Sequence, residues 1–162
     1  MSGPISRMQF LRGDLRGERS SIRPPWALDE ADFVDTCERC DDCIRACPQG
    51  ILMRGRGGFP ELDFSRGGCT FCADCVGACQ VRALAGDGER PPWRLRPSFG
   101  EACLSRRGIV CRVCGDACEA VAIRFKLARG GVALPEVDGS GCTGCGVCVA
   151  ICPERVVTMT AL

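Results

Sequence analysis

The chain contains no histidine and no tyrosine, and Lys126 is its only lysine. Without histidine there can be no zinc site of mixed cysteine–histidine kind, no Rieske-type ligation and no haem on a proximal histidine. The commonest general base is missing too, so hydrolytic chemistry fits poorly and no catalytic residue is expected. Arginine supplies nearly all the positive charge, which reads as genomic base composition rather than a special use of the guanidinium group. Long apolar runs are also lacking. No stretch reaches the length of a membrane span. Residues 1–23 hold no apolar core of a secretory signal, their longest apolar run being Phe10-Leu11. These absences lead to the expectation of a cytoplasmic protein with reduced thiols.

What the sequence has in excess is cysteine. Sixteen of 162 residues is far above ordinary usage. At that density the common explanations are a disulfide framework, zinc sites or iron–sulfur clusters. Disulfides need an oxidising compartment, which the N-terminus does not suggest. The cysteines fall into four groups. Cys37, Cys40, Cys43 and Cys47 form C-x2-C-x2-C-x3-C, followed by Pro48. Cys69, Cys72, Cys75 and Cys79 repeat that spacing, followed by Gln80. Cys103, Cys111, Cys114 and Cys118 are C-x7-C-x2-C-x3-C, followed by Glu119. Cys142, Cys145, Cys148 and Cys152 restore the first spacing, followed by Pro153.

A longer repeat is superimposed on these groups. Arg23-Pro24-Pro25-Trp26 precedes the first group and Arg90-Pro91-Pro92-Trp93 the third. Pro60-Glu61-Leu62-Asp63 precedes the second and Pro135-Glu136-Val137-Asp138 the fourth, each after a glycine pair. The chain therefore reads as two tandem copies of one module. Residues 1–22 are a polar tail and 23–86 a module with two cysteine motifs. Residues 87–102 are the linker and the start of the second copy, and 103–162 hold the other two motifs. The join, Gly86-Asp87-Gly88-Glu89, has linker composition.

The expected fold is α+β: small ferredoxin-like modules of short β-hairpins and short helices around the clusters. A helical turn follows each third cysteine, as in Cys43 to Cys47. A hairpin is expected over residues 51–64, with strand candidates at 120–127, 132–137 and 156–162. The acidic run from Asp29 to Asp42 reads as a solvated helix face. Trp26 and Trp93 read as packing residues, with shielding between clusters as the alternative. So little apolar surface is available that bound metal should contribute to folding itself.

A [4Fe–4S] cube takes four thiolates, one on each iron. Three cysteines in C-x2-C-x2-C wrap one cube, and in two-cluster ferredoxins the fourth ligates the other cluster. That crossing would join Cys37, Cys40 and Cys43 to Cys79, and Cys69, Cys72 and Cys75 to Cys47. It would join Cys142, Cys145 and Cys148 to Cys118, and Cys103, Cys111 and Cys114 to Cys152. All-cysteine zinc sites present two C-x2-C pairs instead. Three or four [4Fe–4S] clusters are expected. The third group is the weakest candidate, since its first loop carries five extra residues. It could close on a cube, hold a three-iron cluster or leave Cys103 free. Formal net charge is +1, and loaded clusters would take it to about −7, so no nucleic-acid partner is expected.

Several segments carry a closer resemblance. They are Arg23-Pro24-Pro25-Trp26-Ala27, Gly57-Gly58-Phe59-Pro60, Cys69-Thr70-Phe71-Cys72 and Cys103-Leu104-Ser105-Arg106-Arg107-Gly108. Cys111-Arg112-Val113-Cys114-Gly115-Asp116-Ala117-Cys118-Glu119 and Ala122-Ile123-Arg124-Phe125 complete the set. Together they resemble the NapF family, ferredoxin-type accessory proteins of periplasmic nitrate reductase systems. Ser6-Arg7-Met8-Gln9-Phe10-Leu11 is similar to the family's Ser-Arg-Arg-x-Phe-Leu opening, with Met8 as a departure. The resemblance implies a cytoplasmic, non-enzymatic factor. It would bind the precursor of the catalytic subunit NapA and assist its maturation before export. The alternatives are an electron-transfer polyferredoxin and a wiring subunit of a redox complex.

Overall fold

The structure, a computed structural model, describes residues 22–86, 91–128 and 131–161. The polar tail, apart from Ile22, and residues 87–90 at the join and start of the second copy lie outside the described residues. In the N-terminal half, α1 (Glu30–Thr36) opens with Glu30 and Asp32, whose charges suit a helix N-terminus. Its acidic side chains face water, while Phe33 on the opposite side is fully buried. The acidic run is thus a solvated face over this helix. Two shorter helices, α2 (Asp42–Ala46) and α3 (Asp74–Gly77), follow the second cysteine of their groups and pack together. Strands β1 (Leu52–Arg54) and β2 (Pro60–Leu62) form the expected hairpin, with Leu52 opposite Leu62. Gly57 and Gly58 turn it, at φ +64° and +80°, where a side chain would be strained.

The C-terminal half repeats the helix pair, as α4 (Val113–Asp116) and α5 (Val147–Ala150). Its hairpin, β4 (Ile123–Leu127) with β5 (Ala133–Val137), is longer, and Phe125 opposes Pro135 where Arg54 opposes Pro60. The repeat extends to hydrogen bonds. Asp63 Oδ1 accepts from Ser65 N and Oγ at 3.0 and 2.6 Å, and Asp138 Oδ1 accepts from Ser140 at the same distances. An additional strand pair was not foreseen. Residues Leu95–Phe99 form β3, antiparallel to β6 (Val157–Ala161), within a stretch read as linker and start of the second copy. Pro97 hid it, since proline within an apolar run argues against a strand unless the strand lies at an edge. In a two-stranded sheet every strand is an edge.

Each half has a small core centred on cysteine. Phe33, Leu52, Ala83 and Leu84 surround Cys43 and Cys75, and Ile123 and Val157 surround Cys114 and Cys148. A third cluster, Ile51, Phe64 and Leu95 with Trp93 against them, lies between the halves. Trp93 meets Phe64 edge-on at 5.9 Å and Phe71 at 5.7 Å. Among the described residues, no helix is long and apolar enough to cross a membrane.

Candidate metal centres

The backbone winds around each cysteine loop in a repeated way. In the first, second and fourth groups, the residues on either side of the second cysteine are both left-handed. They are Arg39 and Asp41, Phe71 and Ala73, and Gly144 and Gly146. For residues other than glycine this conformation costs about 1–2 kcal/mol each, so the surrounding structure must hold the loop in place. A second repeated turn ends every group. The third residue after the fourth cysteine is left-handed in all four: Gly50, Arg82, Val121 and Arg155. Its N–H donates to the C=O of that fourth cysteine at 2.8–3.2 Å. Groups with and without the following proline share this turn, so the proline is not what makes it.

The structure brings the cysteines together across groups. Cys37, Cys40, Cys43 and Cys79 line one cavity. Cys47, Cys69, Cys72 and Cys75 line a second. Cys103, Cys111, Cys114 and Cys152 line a third. Cys142, Cys145 and Cys118 form the fourth set with Cys148, each close enough to act on Cys148 electrostatically. In every set the fourth cysteine comes from the partner group of the same half. In every group the third cysteine is the buried one.

That burial shapes the electrostatics. Loss of water pushes the thiols of Cys43 and Cys114 up to about 11, and those of Cys75 and Cys148 up to about 12. Neighbouring cysteines of the same set add to the rise, because thiolates there would repel. A buried thiol that resists ionisation, gathered with three more cysteines, suits a cationic guest, which would offset both the burial and the repulsion. Backbone donors already point at two of the sulfurs: Phe71 N–H at Cys69 Sγ and Ala122 N–H at Cys118 Sγ, each 3.4 Å. Among the described residues, no three Cys, His, Asp or Glu side chains close as tightly as one metal ion requires. A four-iron cube, with one thiolate on each iron, holds its sulfurs farther apart than a single ion does.

The third group differs from the loose loop that its spacing suggests. Arg107 N–H donates to the carbonyls of Cys103 and Leu104, Gly108 N–H to Ser105 and Ile109 N–H to Leu104, all at 3.0 ± 0.2 Å. Ser105 is 2% exposed, and its hydroxyl donates to the Cys111 C=O at 2.7 Å. This closed turn places Cys103 beside Cys111 and Cys114. Ser105 was missed as a site-building residue, and only its place inside an anomalous gap could have flagged it.

A 4Fe-4S dicluster domain model matches residues 36–83 and again 108–156. Ferredoxin-type protein NapF of Escherichia coli (strain K12) is 40% identical over 153 residues, 94% of this chain and 93% of its own length. The chain belongs to the NapF family of ferredoxin-type proteins. The Haemophilus influenzae NapF is 41% identical over 162 residues, covering all of this chain and 92% of its own length. A methylamine utilization ferredoxin-type protein, MauM of Methylorubrum extorquens, is 33% identical across 88% of this chain and 73% of its own. As a NapF-family member the protein is an iron–sulfur protein of the 4Fe-4S type. The second domain match begins at residue 108, so Cys103 lies outside it.

Proposed function

We propose that the protein holds four [4Fe–4S] clusters in two tandem ferredoxin-like modules. It would serve in the cytoplasm in maturation of the nitrate reductase catalytic subunit NapA before that subunit is exported. The observation that carries this reading is the joint one: four crossed cysteine quartets in a chain 40% identical to NapF over nearly its whole length. The ligands would be Cys37, Cys40, Cys43 and Cys79; Cys69, Cys72, Cys75 and Cys47; Cys103, Cys111, Cys114 and Cys152; and Cys142, Cys145, Cys148 and Cys118. Bound clusters supply one-electron chemistry. The protein's own residues bury the third cysteine of each group and donate N–H groups to two of the sulfurs. No catalytic residue is involved; the protein binds the NapA precursor and is not itself an enzyme.

The test is the state of the target enzyme. Nitrate reductase from cells lacking this protein should have low cluster content and low specific activity with an artificial donor. Fully loaded, fully active enzyme would overturn the maturation role. The adjacency of quartets within each half favours a second reading, an electron-transfer polyferredoxin, to which that result would point.

A further inference from the structure

Two quartets from different halves meet where the halves pack. The Cys69 N–H donates to the Cys145 C=O at 2.8 Å. Cys145 is near enough to Cys69 to act on it electrostatically. Glycines make this approach possible. A Cβ on Gly68, beside Cys69, would overlap Val147 and stand 3.2 Å from Cys145 O. A Cβ on Gly146, beside Cys145, would overlap the Phe64 ring. A glycine on each side is therefore what lets the two halves pack this closely. Within the halves the quartets are neighbours as well: Cys43 acts on Cys75, and Cys114 acts on Cys148.

We propose that the seam formed by Phe64, Gly68 and Cys69 with Cys145 and Gly146 joins the four quartets into one line. Their order is first, second, fourth, third, and electrons cross between the halves at Cys69 and Cys145. This rests on the ligand assignment above and is independent of any role in enzyme maturation. The transfer is of single electrons. The centre that gives is oxidised by one, the centre that takes is reduced by one, and no bond or proton moves. A low-potential one-electron donor then needs to meet only one end of the line. The third quartet, whose loop differs from the rest, lies at an end. There its exposed Ile109 and Val110 face solvent rather than another quartet.

The test uses the anaerobic full-length holoprotein and two seam variants. Gly68→Val wedges the halves apart, and Phe64→Ala, outside the cysteine loops, removes the ring that Gly146 abuts. Fully reduced wild-type protein should show paramagnetic resonance with spin–spin interaction running through all its centres. Each variant should keep its iron and show the interaction contracted to two independent pairs. A wild-type spectrum that is already the sum of two independent pairs overturns the proposal. So do unchanged spectra in both variants at full iron content. A second measurement needs no loaded variant: a protease site replaces residues 87–90 and is cut. The halves should still migrate as one species in gel filtration, and their separation would break the seam. Wild-type protein with neither iron nor acid-labile sulfide would instead remove the ligand assignment beneath it.

Discussion

The first cysteine group hangs from a helix, the third from a strand and a loop. In the N-terminal half, α1 ends at Cys37 and drives Phe33 into the core. Arg23 covers that ring at 5.1 Å and Phe59 at 5.3 Å, and is itself held by Glu30 through two bonds of 2.9 Å. Among the described residues, the C-terminal half has no such helix before Cys103. Strand β3 pairs with β6 and leads into the turn pinned by Ser105. Yet both halves gather two crossed quartets and end each group with the same left-handed turn. The geometry around the cysteines is what the two halves share; the scaffold that delivers the first cysteine is interchangeable.

The largest effect should come from taking the metal away. Removing iron with a chelator under oxidising conditions should abolish the cooperative thermal transition of both halves, because each core is built around cysteines. Circular dichroism checks this, and a half that keeps its transition would show that its apolar core suffices alone. Next is Phe33→Ala, expected to cost about 3–5 kcal/mol and to lower iron in the N-terminal half first. Unfolding followed by cluster absorbance would reveal an equal loss from both halves if the seam transmits the damage. Cys103→Ser and Cys37→Ser sharpen the comparison directly. Each should lose about one cluster, about four irons, and a smaller loss for Cys103→Ser would make its loop dispensable. Ser105→Ala leaves the Cys111 carbonyl without its partner, so a cost of about 1–2 kcal/mol is expected. Iron should then fall at the third quartet alone. The smallest effect concerns the shared turn. Val121→Gly should stabilise by about 0.5–1 kcal/mol, and Gly50→Val should destabilise, as read from the midpoints of anaerobic denaturation.

The chemistry was legible because it is written in residue type and spacing. Cysteine grouping gave the quartets, and the Pro-Glu-x-Asp repeat marked matching hairpins that end in matching Asx turns. The helix at Glu30–Thr36 could be read from its acidic face. What escaped depends on partners distant in sequence or on backbone conformation. Pairing of β3 with β6 joins Leu95 to Ala161, and no local pattern announces it. The left-handed conformations of Arg39, Phe71, Arg82 and Val121 contradict their residue types. Tertiary closure imposes them, so propensity points the wrong way. The role of Ser105 was hidden because a longer loop suggests looseness, whereas this one spends its extra residues on hydrogen bonds.

The crossing of the fourth cysteines has a consequence for synthesis. A chain emerging from the ribosome presents Cys37, Cys40 and Cys43 long before Cys79. The first site therefore stays open while the second group is still being made. It closes only when Cys79 emerges, shortly after Cys75 has completed the set that includes Cys47. The second pair behaves likewise. Cys118 waits for Cys148, and Cys103, Cys111 and Cys114 wait for Cys152. In the sets that Cys79 and Cys152 complete, three thiols stand ready without their fourth, open to premature oxidation or to capture of a wrong metal. Iron and sulfide delivered late, after release, would meet complete quartets. Delivered early, they would find only partial ones.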